Sequence, residues 1–397
     1  MTNADGDDEA VVDGLVEELL RAHPPGETEP AVFLGAQFDL GLAWVDLPRG
    51  LGGLEVAPHL QGRVNERLVD AGAPMARDRN AIGHGMVAPT LVVHGTTELR
   101  ERHLRPLFTG EEVWCQLFSE PVAGSDIAGL ATRAVPHGDG WVLTGQKVWT
   151  TLGHVARFGL ALARTDPDVP KHKGLTAFVV DMHDPAVVVR PLLQMTGHAE
   201  FSEVFLDDVV VGDGARVGEV GRGWSVAVTT LMNERVAVGG RVPRRGEGRI
   251  AEAVAAWRAS GDTDAARRDQ LVRLWSEAEI LRLTNIRARQ LRVRGTPGPE
   301  GSIGKITTGE LNKRISEFVL HCQPSSGMLK ATGYPMSRRE GQEPYTHPVD
   351  IFLRMRGNSI EGGTTEIAKN IVAERVLGLP TDQRTDKDVA WSSVRRS

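Results

Sequence analysis

The sequence has few cysteines, no block of basic residues and no long apolar run. Cys115 and Cys322 are its only cysteines, and without a CxxC pair they indicate neither a disulfide framework nor a zinc site. The net charge is −6, from 46 basic and 52 acidic residues, so nucleic-acid binding has little support. No apolar stretch approaches the ~20 residues that cross a bilayer. We therefore expect no nucleic-acid partner and no membrane span.

The beginning of the chain lacks the basic residues that open an export signal. Residues 1–9 instead contain Asp5, Asp7, Asp8 and Glu9. Together with the scarcity of cysteine, this acidic start predicts a reducing, cytoplasmic location. The twelve histidines include no HExxH motif and no pair at helical spacing beside a carboxylate, so we predict no metal site.

The sequence does contain enough apolar residues for a large core. It has 397 residues, of which 41% are hydrophobic, and at about 100–200 residues per domain it should hold two or three domains. Apolar residues recur at helical spacing towards both ends, whereas short β-branched and aromatic runs fill the middle. The pattern predicts an α+β fold in four parts: an N-terminal helical domain (1–112), a middle β domain, barrel or sandwich (113–214), a C-terminal helical bundle (215–379) and a polar tail (380–397).

The strands of the middle domain are expected where the β-branched or aromatic runs occur. These runs lie at residues 141–144, 158–163, 175–182, 186–189 and 204–211. In the C-terminal domain, apolar residues at helical spacing form stripes that we expect to be packing faces. The stripes include Leu271, Leu274, Leu311, Ile315 and Cys322.

Two stretches near the start of the middle domain suggest a seat for a ligand. Residues 115–126 read Cys-Gln-Leu-Phe-Ser-Glu-Pro-Val-Ala-Gly-Ser-Asp, and residues 145–151 read Gly-Gln-Lys-Val-Trp-Thr-Thr. The first is an extended apolar run that turns at Glu-Pro into a loop of small residues, whose backbone N–H groups and hydroxyls can line a flat polar ligand. For an isolated motif, a plain turn leading into a barrel strand is the favoured interpretation.

Several motifs, taken in order along the chain, resemble those of one enzyme family. They lie at residues 95–104, 118–126, 145–149, 231–235 (Leu-Met-Asn-Glu-Arg) and 361–367 (Glu-Gly-Gly-Thr-Thr-Glu-Ile). Together with the succession of helical, β and helical domains, they resemble the acyl-CoA dehydrogenase family over nearly the whole chain. The resemblance implies the acyl-CoA dehydrogenase fold, FAD as the cofactor and an acyl-CoA thioester as the substrate.

The resemblance implies that the two stretches hold the flavin. Residues of the first match positions that direct backbone N–H groups and a hydroxyl at N1 and O2 of the flavin, where the reduced form carries negative charge. These residues are Gln116, Phe118 and Ser119. Gly124 belongs to the same motif, and Ser125 matches the residue near the pyrophosphate and the thioester, so it serves both cofactor and substrate. Trp149 and Thr151 match the residues that cover the isoalloxazine face and approach N5.

The implied reaction removes a proton from the carbon α to a thioester while a hydride leaves the β carbon for flavin N5. A carboxylate suits this role when burial raises its pKa above the ordinary value near ~4.3. Glu234 matches the first of two family base sites, which converge on one point in space. Arg235 then matches a residue that contacts the CoA part of the substrate. The plain alternative for Glu234 is a surface partner in an ion pair.

Glu361 is the alternative base, because it lies near the second of the two family sites. In members that use that site, the base stands directly before Gly-Thr. Alignment on Gly363 and Thr364 places Gly362 in the base position and Glu361 one residue early, which favours Glu234.

The last motif also opens a helix that begins near residue 367. Gly363, Thr364 and Glu366 would lie at its N-terminus, where unpaired N–H groups can meet a flavin phosphate or ribityl group. A plain N-cap is the structural alternative, and the two roles are compatible.

Two departures from the family pattern stand out. The family's Arg-x-x-Phe-Gly segment, which reaches the flavin pyrophosphate across a subunit interface, has no counterpart in residues 240–249. Arg244, Arg245 or Lys305 is a candidate replacement for its cation, and residues 299–305 resemble an actinobacterial branch that acts on steroid side chains and other bulky acyl-CoAs. The second departure is His198, for which the sequence offers no physical explanation.

The leading hypothesis is a flavin-dependent acyl-CoA dehydrogenase that passes electrons to an electron-transfer flavoprotein. It is expected to form a homotetramer or homodimer, with a heterotetramer left open. An acyl-CoA oxidase or a flavin monooxygenase on the same fold is the first alternative, and a non-catalytic partner subunit of a heteromeric enzyme is the second.

Overall fold

The computed structural model describes residues 3–239, 242–293, 300–323, 325, 327, 329, 347–381 and 386–394. The chain divides into two compact units. The first comprises Met1–Arg190, Phe201–Asn233 and Thr385–Ser397, and the second comprises Pro191–Glu200 and Glu234–Arg384. Both stretches of the predicted flavin seat therefore belong to the first unit, whereas both candidate bases belong to the second.

The first unit begins with helices, as the apolar spacing predicts. They are α1 (Asn3–Ala22), α2 (Pro30–Asp39), α3 (Leu60–Asp70), α4 (Ala76–Arg79), α5 (Ala88–His94) and α6 (Thr97–Thr109). α6 starts after Thr96, whose hydroxyl accepts a hydrogen bond from the Leu99 N–H at 3.3 Å, and it ends at Gly110, whose φ of +77° is left-handed. Side chains from these helices form one core, which includes Phe33, Leu34, Leu91, Leu104 and Phe108.

A mixed sheet follows the helices and forms the predicted middle β domain. Its strands are β1 (Trp114–Leu117), β2 (Arg133–His137), β3 (Gly140–Thr151), β4 (Phe158–Arg164), β5 (Leu175–Asp181), β6 (Val187–Leu192), β7 (Phe201–Gly212) and β8 (Arg216–Val217). They lie in the order β6-β7-β3-β2-β4-β5-β8, and β1 pairs with β4 in parallel. β4 is buried at every position, in agreement with its apolar sequence from Phe158 to Ala163, and its last residue, Arg164, is a buried cation. Each of the five predicted runs overlaps one of these strands, and the runs extend past the strands by only one residue, at 182 and at 186.

The remaining helices are α7 (Gly223–Gly239), α8 (Arg249–Ser260), α9 (Ala265–Val293), α10 (Glu300–His321), α11 (Pro348–Met355) and α12 (Thr365–Arg375). A core joins α8, α9 and α10 and contains the predicted stripe residues Leu271, Leu274, Leu311, Ile315 and Cys322. Their role as packing faces is confirmed. Among the described residues, no helix combines the length and the apolar character needed to cross a membrane.

Candidate active site

The two stretches of the predicted flavin seat are in direct contact in the first unit. β1 carries Gln116, which is half-buried and pairs with Leu160 of β4. Two residues after the end of β1, the carbonyl of Ser119 accepts a hydrogen bond from the N–H of Val148 in β3 at 2.9 Å. The structure thus places Ser119 beside the strand segment that leads to Trp149.

A buried ion pair, Lys147 with Glu120, fixes the turn where the first stretch ends. The Lys147 ammonium donates to Glu120 Oε1 at 2.9 Å and to the carbonyl of Phe118 at 3.3 Å, and Glu120 also accepts from the N–H of Thr132 at 2.9 Å. Burial acts to raise the pKa of Glu120, but the Lys147 charge and the hydrogen bond at Thr132 outweigh it and lower that pKa. Losing either partner would leave a buried charge unpaired, so the pair is costly to break. Since Lys147 also donates to the carbonyl of Phe118, the pair holds the backbone of residues 118–120 in place.

Trp149 lies on a bulge in β3. Its φ of +61° is left-handed, which a bulky residue rarely adopts, and the pairing with β7 shifts register between Lys147 and Thr150. Trp149 is 56% exposed. Its indole ring packs against the ring of Phe201 in a T-shaped arrangement, with the ring centroids 5.7 Å apart. Thr151 is half-buried two residues further on. Backbone strain beneath a large exposed aromatic ring is typical of a residue that contacts a ligand.

The Glu-Pro loop, residues 120–126, presents small residues to the surface. Glu120 and Ala123 exchange backbone hydrogen bonds of 3.1 and 3.0 Å, which closes a tight turn. Gly124 and Ser125 are exposed, and a methyl group built on Gly124 would meet none of the described residues within 4 Å. Val122 is 77% exposed. The backbone and hydroxyl groups of this loop are therefore accessible to a ligand.

In the second unit, Glu234 lies beside the loop that carries the other candidate base. Its side chain is half-buried, and it belongs to α7. A methyl group built on Gly362 would stand 3.4 Å from Glu234 Oε1. Gly362 has a φ of +63°, a conformation that favours glycine. A side chain at position 362 and the side chain of Glu234 would therefore converge on the same region.

Glu361 is held by partners of its own. Arg354 donates to both of its carboxylate oxygens, at 3.0 and 2.8 Å, and Asn358 Nδ2 donates to Oε1 at 2.6 Å. The third guanidinium nitrogen of Arg354 used here, Nε, donates to Glu200 at 2.9 Å. Both carboxylate oxygens of Glu361 are therefore occupied by charge-assisted hydrogen bonds.

The start of α12 combines a cap with accessible backbone. Thr364 is the N-cap, and its hydroxyl accepts from the Ile367 N–H at 3.2 Å. Gly363, with a φ of +86°, and Glu366 are exposed, whereas Thr365 is buried and its Oγ1 has no hydrogen-bond partner within the described part of the chain. The predicted N-cap is confirmed, and the same turn still offers N–H groups to an anionic ligand.

Three family models match the chain in consecutive segments. They describe the N-terminal, middle and C-terminal domains of acyl-CoA dehydrogenases and match residues 13–111, 115–209 and 221–377. Acyl-CoA dehydrogenase FadE34 of Mycobacterium tuberculosis is 41% identical over 330 residues, which cover 82% of this chain but only 44% of FadE34. The chain belongs to the acyl-CoA dehydrogenase family. Acyl-CoA dehydrogenase IpdE1 of the same organism is 34% identical over 348 residues, or 87% of this chain and 86% of IpdE1.

Solved structures of acyl-CoA dehydrogenases share the fold. The Tcur3481-Tcur3483 steroid ACAD is 24% identical, with a TM-score of 0.71 over 96% of this chain and 99% of that one. An acyl-CoA dehydrogenase from Geobacillus kaustophilus is 21% identical, with a TM-score of 0.68 over 94% and 98% of the two chains. The predicted fold and the enzyme class, an oxidoreductase of a flavoprotein family that dehydrogenates acyl-CoA thioesters, are confirmed at the level of the family.

Arg245 and Lys305, two of the candidates to replace the cation of the family's Arg-x-x-Phe-Gly segment, have partners within the second unit. The Arg245 guanidinium lies 5.0 Å from the centre of the Trp275 ring and 3.9 Å from Glu279. Lys305 Nζ donates to the carbonyl of Asn358 at 2.8 Å. That one of these residues replaces the cation stays a prediction. Residues 240–241 of segment 240–249 and residue 299 of segment 299–305 lie outside the described residues.

Three further residues named from the sequence are Arg244, Arg235 and His198, and the structure describes only backbone contacts or positions for them. The N–H of Arg244 donates to Glu247 at 3.1 Å. Arg235 follows Glu234 on α7, but its side chain lies outside the described part of the structure. The N–H of His198 donates to Thr196 Oγ1 at 3.2 Å, which forms a turn.

Some residues that shape the two candidate regions, one in each unit, are absent from the predicted set. They are Glu120, Lys147 and Arg354. For the first two, a signal exists in the sequence, because a lysine just after a predicted strand and a glutamate at the end of an apolar run are charges next to segments that should be buried. The role of Arg354 depends on the fold of the loop after α11 and has no such signal.

Proposed function

We propose that the chain is an FAD-dependent acyl-CoA dehydrogenase in which Glu234 removes the α proton of the thioester. The observation that carries this proposal is the position of Glu234 Oε1, 3.4 Å from the methyl position of Gly362. Gly362 aligns with the base of the family's second site, so a carboxylate from α7 reaches the place that the other base would occupy. Glycine at position 362 leaves room for it.

The fate of Glu361 supports the same choice. Its carboxylate is occupied by Arg354 and Asn358, at distances of 2.6 to 3.0 Å. To accept a proton from substrate, Glu361 would have to give up charge-assisted hydrogen bonds, which are among the stronger ones in proteins. We assign it a structural role, in which it fixes the turn before α12.

The residues of the first unit suit a flavin. Trp149 offers an exposed aromatic ring on a strained bulge, Ser119 supplies a hydroxyl from the first stretch, and Gly124 and Ser125 supply backbone and hydroxyl groups from an open loop. We infer that Gln116, Phe118, Ser119, Gly124, Ser125, Trp149 and Thr151 contact FAD. In the second unit, the family resemblance implies FAD contacts at Gly363, Thr364 and Glu366. When bound, FAD supplies the acceptor for the hydride that leaves the β carbon.

The chain's own part in the reaction is to hold the thioester and to take its proton. The α C–H bond breaks towards the Glu234 carboxylate, while the β hydrogen leaves with its electron pair, so that the product carries an α,β double bond. Ser125 and Arg235 are the proposed substrate contacts. The electrons pass to an electron-transfer flavoprotein, and the chain assembles as a homotetramer or homodimer, with a heterotetramer as the alternative.

The purified protein tests this function directly. We expect a yellow protein whose visible flavin absorbance bleaches when a suitable acyl-CoA is added without oxygen; a panel should span short, branched, long and steroid side-chain thioesters. Peroxide release during turnover would instead indicate an oxidase, and an oxygenated product would indicate a monooxygenase. A colourless protein that supports activity only with a second chain would contradict the proposal and indicate a non-catalytic subunit.

A further inference from the structure

The C-terminal segment, residues 386–394, packs along the loop between β4 and β5, although the sequence predicts only a polar tail there. Ala390 forms a bridge with Pro170. The N–H of Trp391 donates to the carbonyl of Val169 at 2.9 Å, and the N–H of Ser392 donates to that of Pro167 at 2.8 Å. The segment is thus held by backbone hydrogen bonds as an extra strand-like element of the first unit.

The same segment reaches a short 3₁₀ turn, Ile127–Gly129, that directly follows the Glu-Pro loop. Arg164 donates to the carbonyls of Ala128 and Leu130, at 2.6 and 3.2 Å, and the indole N–H of Trp391 donates to the carbonyl of Gly129 between them, at 3.2 Å. Three successive carbonyls are therefore held by two side chains.

The ring of Trp391 also covers Arg164. The guanidinium carbon lies 4.2 Å from the ring centre, and Arg164 is buried, with 3% of its surface exposed. This cation–π contact shields Arg164 from water and so strengthens its hydrogen bonds to the turn. Removing the indole would expose the guanidinium and release the carbonyl of Gly129.

Lys171 forms a second link between the segment and the loop. Its ammonium donates to Asp126 Oδ2 at 2.8 Å and to Asp386 Oδ2 at 2.6 Å. Asp126 is the last residue of the Glu-Pro loop. The loop is therefore anchored at one end by the buried pair of Lys147 and Glu120, and at the other by contacts that include the C-terminal segment.

We propose that Trp391 and Asp386 are positioning residues, which hold the Glu-Pro loop in the conformation that presents Gly124 and Ser125 to the ligand. This inference rests on the proposed function, because the ligand is FAD and the thioester only if that function is correct. The small residues of the loop have few contacts of their own to fix them, so its position depends on its two anchors. Loosening one anchor should weaken ligand binding more than it slows the chemical step.

The test compares Trp391→Ala, Trp391→Phe and Asp386→Asn in the full chain, with Ser392→Ala as the matched control. Ser392 Oγ donates to Asp168 at 3.0 Å and contacts the β4–β5 loop instead of the turn. Hydrogen exchange of the peptide that covers residues 120–130, measured on protein freed of FAD, should be roughly tenfold faster in Trp391→Ala. The dissociation constant of FAD should rise by a similar factor, with kcat at saturating FAD within about twofold of wild type.

The conservative variants keep the proposal testable even if Trp391→Ala does not fold. Trp391→Phe retains the ring over Arg164 but loses the bond to Gly129, and Asp386→Asn weakens the link through Lys171, so each should show an effect of roughly threefold. Exchange in Trp391→Phe and Asp386→Asn at the wild-type rate would overturn the proposal. An equal effect in Ser392→Ala would also overturn it.

The two levels of inference can fail separately. If the wild-type chain binds no FAD, the proposed function fails, while the exchange measurement still reports whether the segment holds the loop. If the wild-type chain binds FAD and the Trp391 variants match it in both measurements, only the positioning role fails.

Discussion

Glu234 and Glu361 lie in the same unit and both lie close to Gly362, yet they belong to different elements, Glu234 to α7 and Glu361 to the turn before α12. Glu361 is bound in a fork by Arg354 and is also bonded to Asn358, whereas Glu234 extends from α7 towards the position of a side chain at residue 362. On the proposed assignment, the residue next to a family base position in sequence is not its equivalent in space. In a tight turn, a shift of one residue redirects the side chain, and a residue more than a hundred positions away can fill the place instead.

The largest difference between Glu234 and Glu361 is expected when each carboxylate is neutralised in turn. Glu234→Gln should keep its FAD but lower the rate of anaerobic flavin bleaching by roughly 10³-fold, because an amide cannot accept the α proton. Glu361→Gln is the matched control and should bleach within about threefold of wild type, since Arg354 and Asn358 still have an acceptor oxygen. Rapid-mixing absorbance measures both rates. The reverse pattern would assign the reaction to Glu361.

A second experiment moves the base. Glu234→Gly combined with Gly362→Glu should bleach at least about tenfold faster than Glu234→Gly alone, because the Cβ of the new residue would stand 3.4 Å from the place that Glu234 Oε1 occupies. It should remain slower than wild type, since a glutamate at a φ of +63° carries backbone strain of about 1–3 kcal/mol. No gain over the single variant would mean that the two positions do not serve the same point.

The smallest effect is expected at Arg354. Arg354→Met removes the partner of two partly exposed carboxylates, Glu361 and Glu200, so the free energy of unfolding should fall by about 1–2 kcal/mol, measured by urea denaturation. Flavin bleaching should persist in Arg354→Met. The double variant Arg354→Met with Glu234→Gln should bleach as slowly as Glu234→Gln alone. Recovery of bleaching in that double variant would show that Arg354 merely restrains a second competent base.

The sequence predicts what is local or periodic in this molecule. The strands follow the β-branched runs, the packing faces follow the apolar stripes, and Thr364 caps α12 as its motif suggests. The choice of Glu234 over Glu361 also follows from a local feature, the extra glycine before Thr364, and it stays a prediction until the variants are measured.

Contacts between distant residues were beyond prediction. Lys147 meets Glu120 across 27 positions, and Trp391 meets Gly129 across 262. Neither pair follows a helical or strand period, and the polar composition of the C-terminal segment gives no hint that its indole binds a turn. Such contacts depend on which surfaces the fold brings together, and no short window of sequence contains both partners.

The most direct test of Glu234 as the base separates proton removal from hydride transfer. An acyl-CoA analogue with sulfur in place of the β carbon has no hydride to give, so deuterium uptake at its α carbon in heavy water, followed by NMR, reports the base alone. We expect rapid exchange with wild type and Glu361→Gln and roughly 10³-fold slower exchange with Glu234→Gln. Exchange that continues in Glu234→Gln and stops in Glu361→Gln would contradict the assignment.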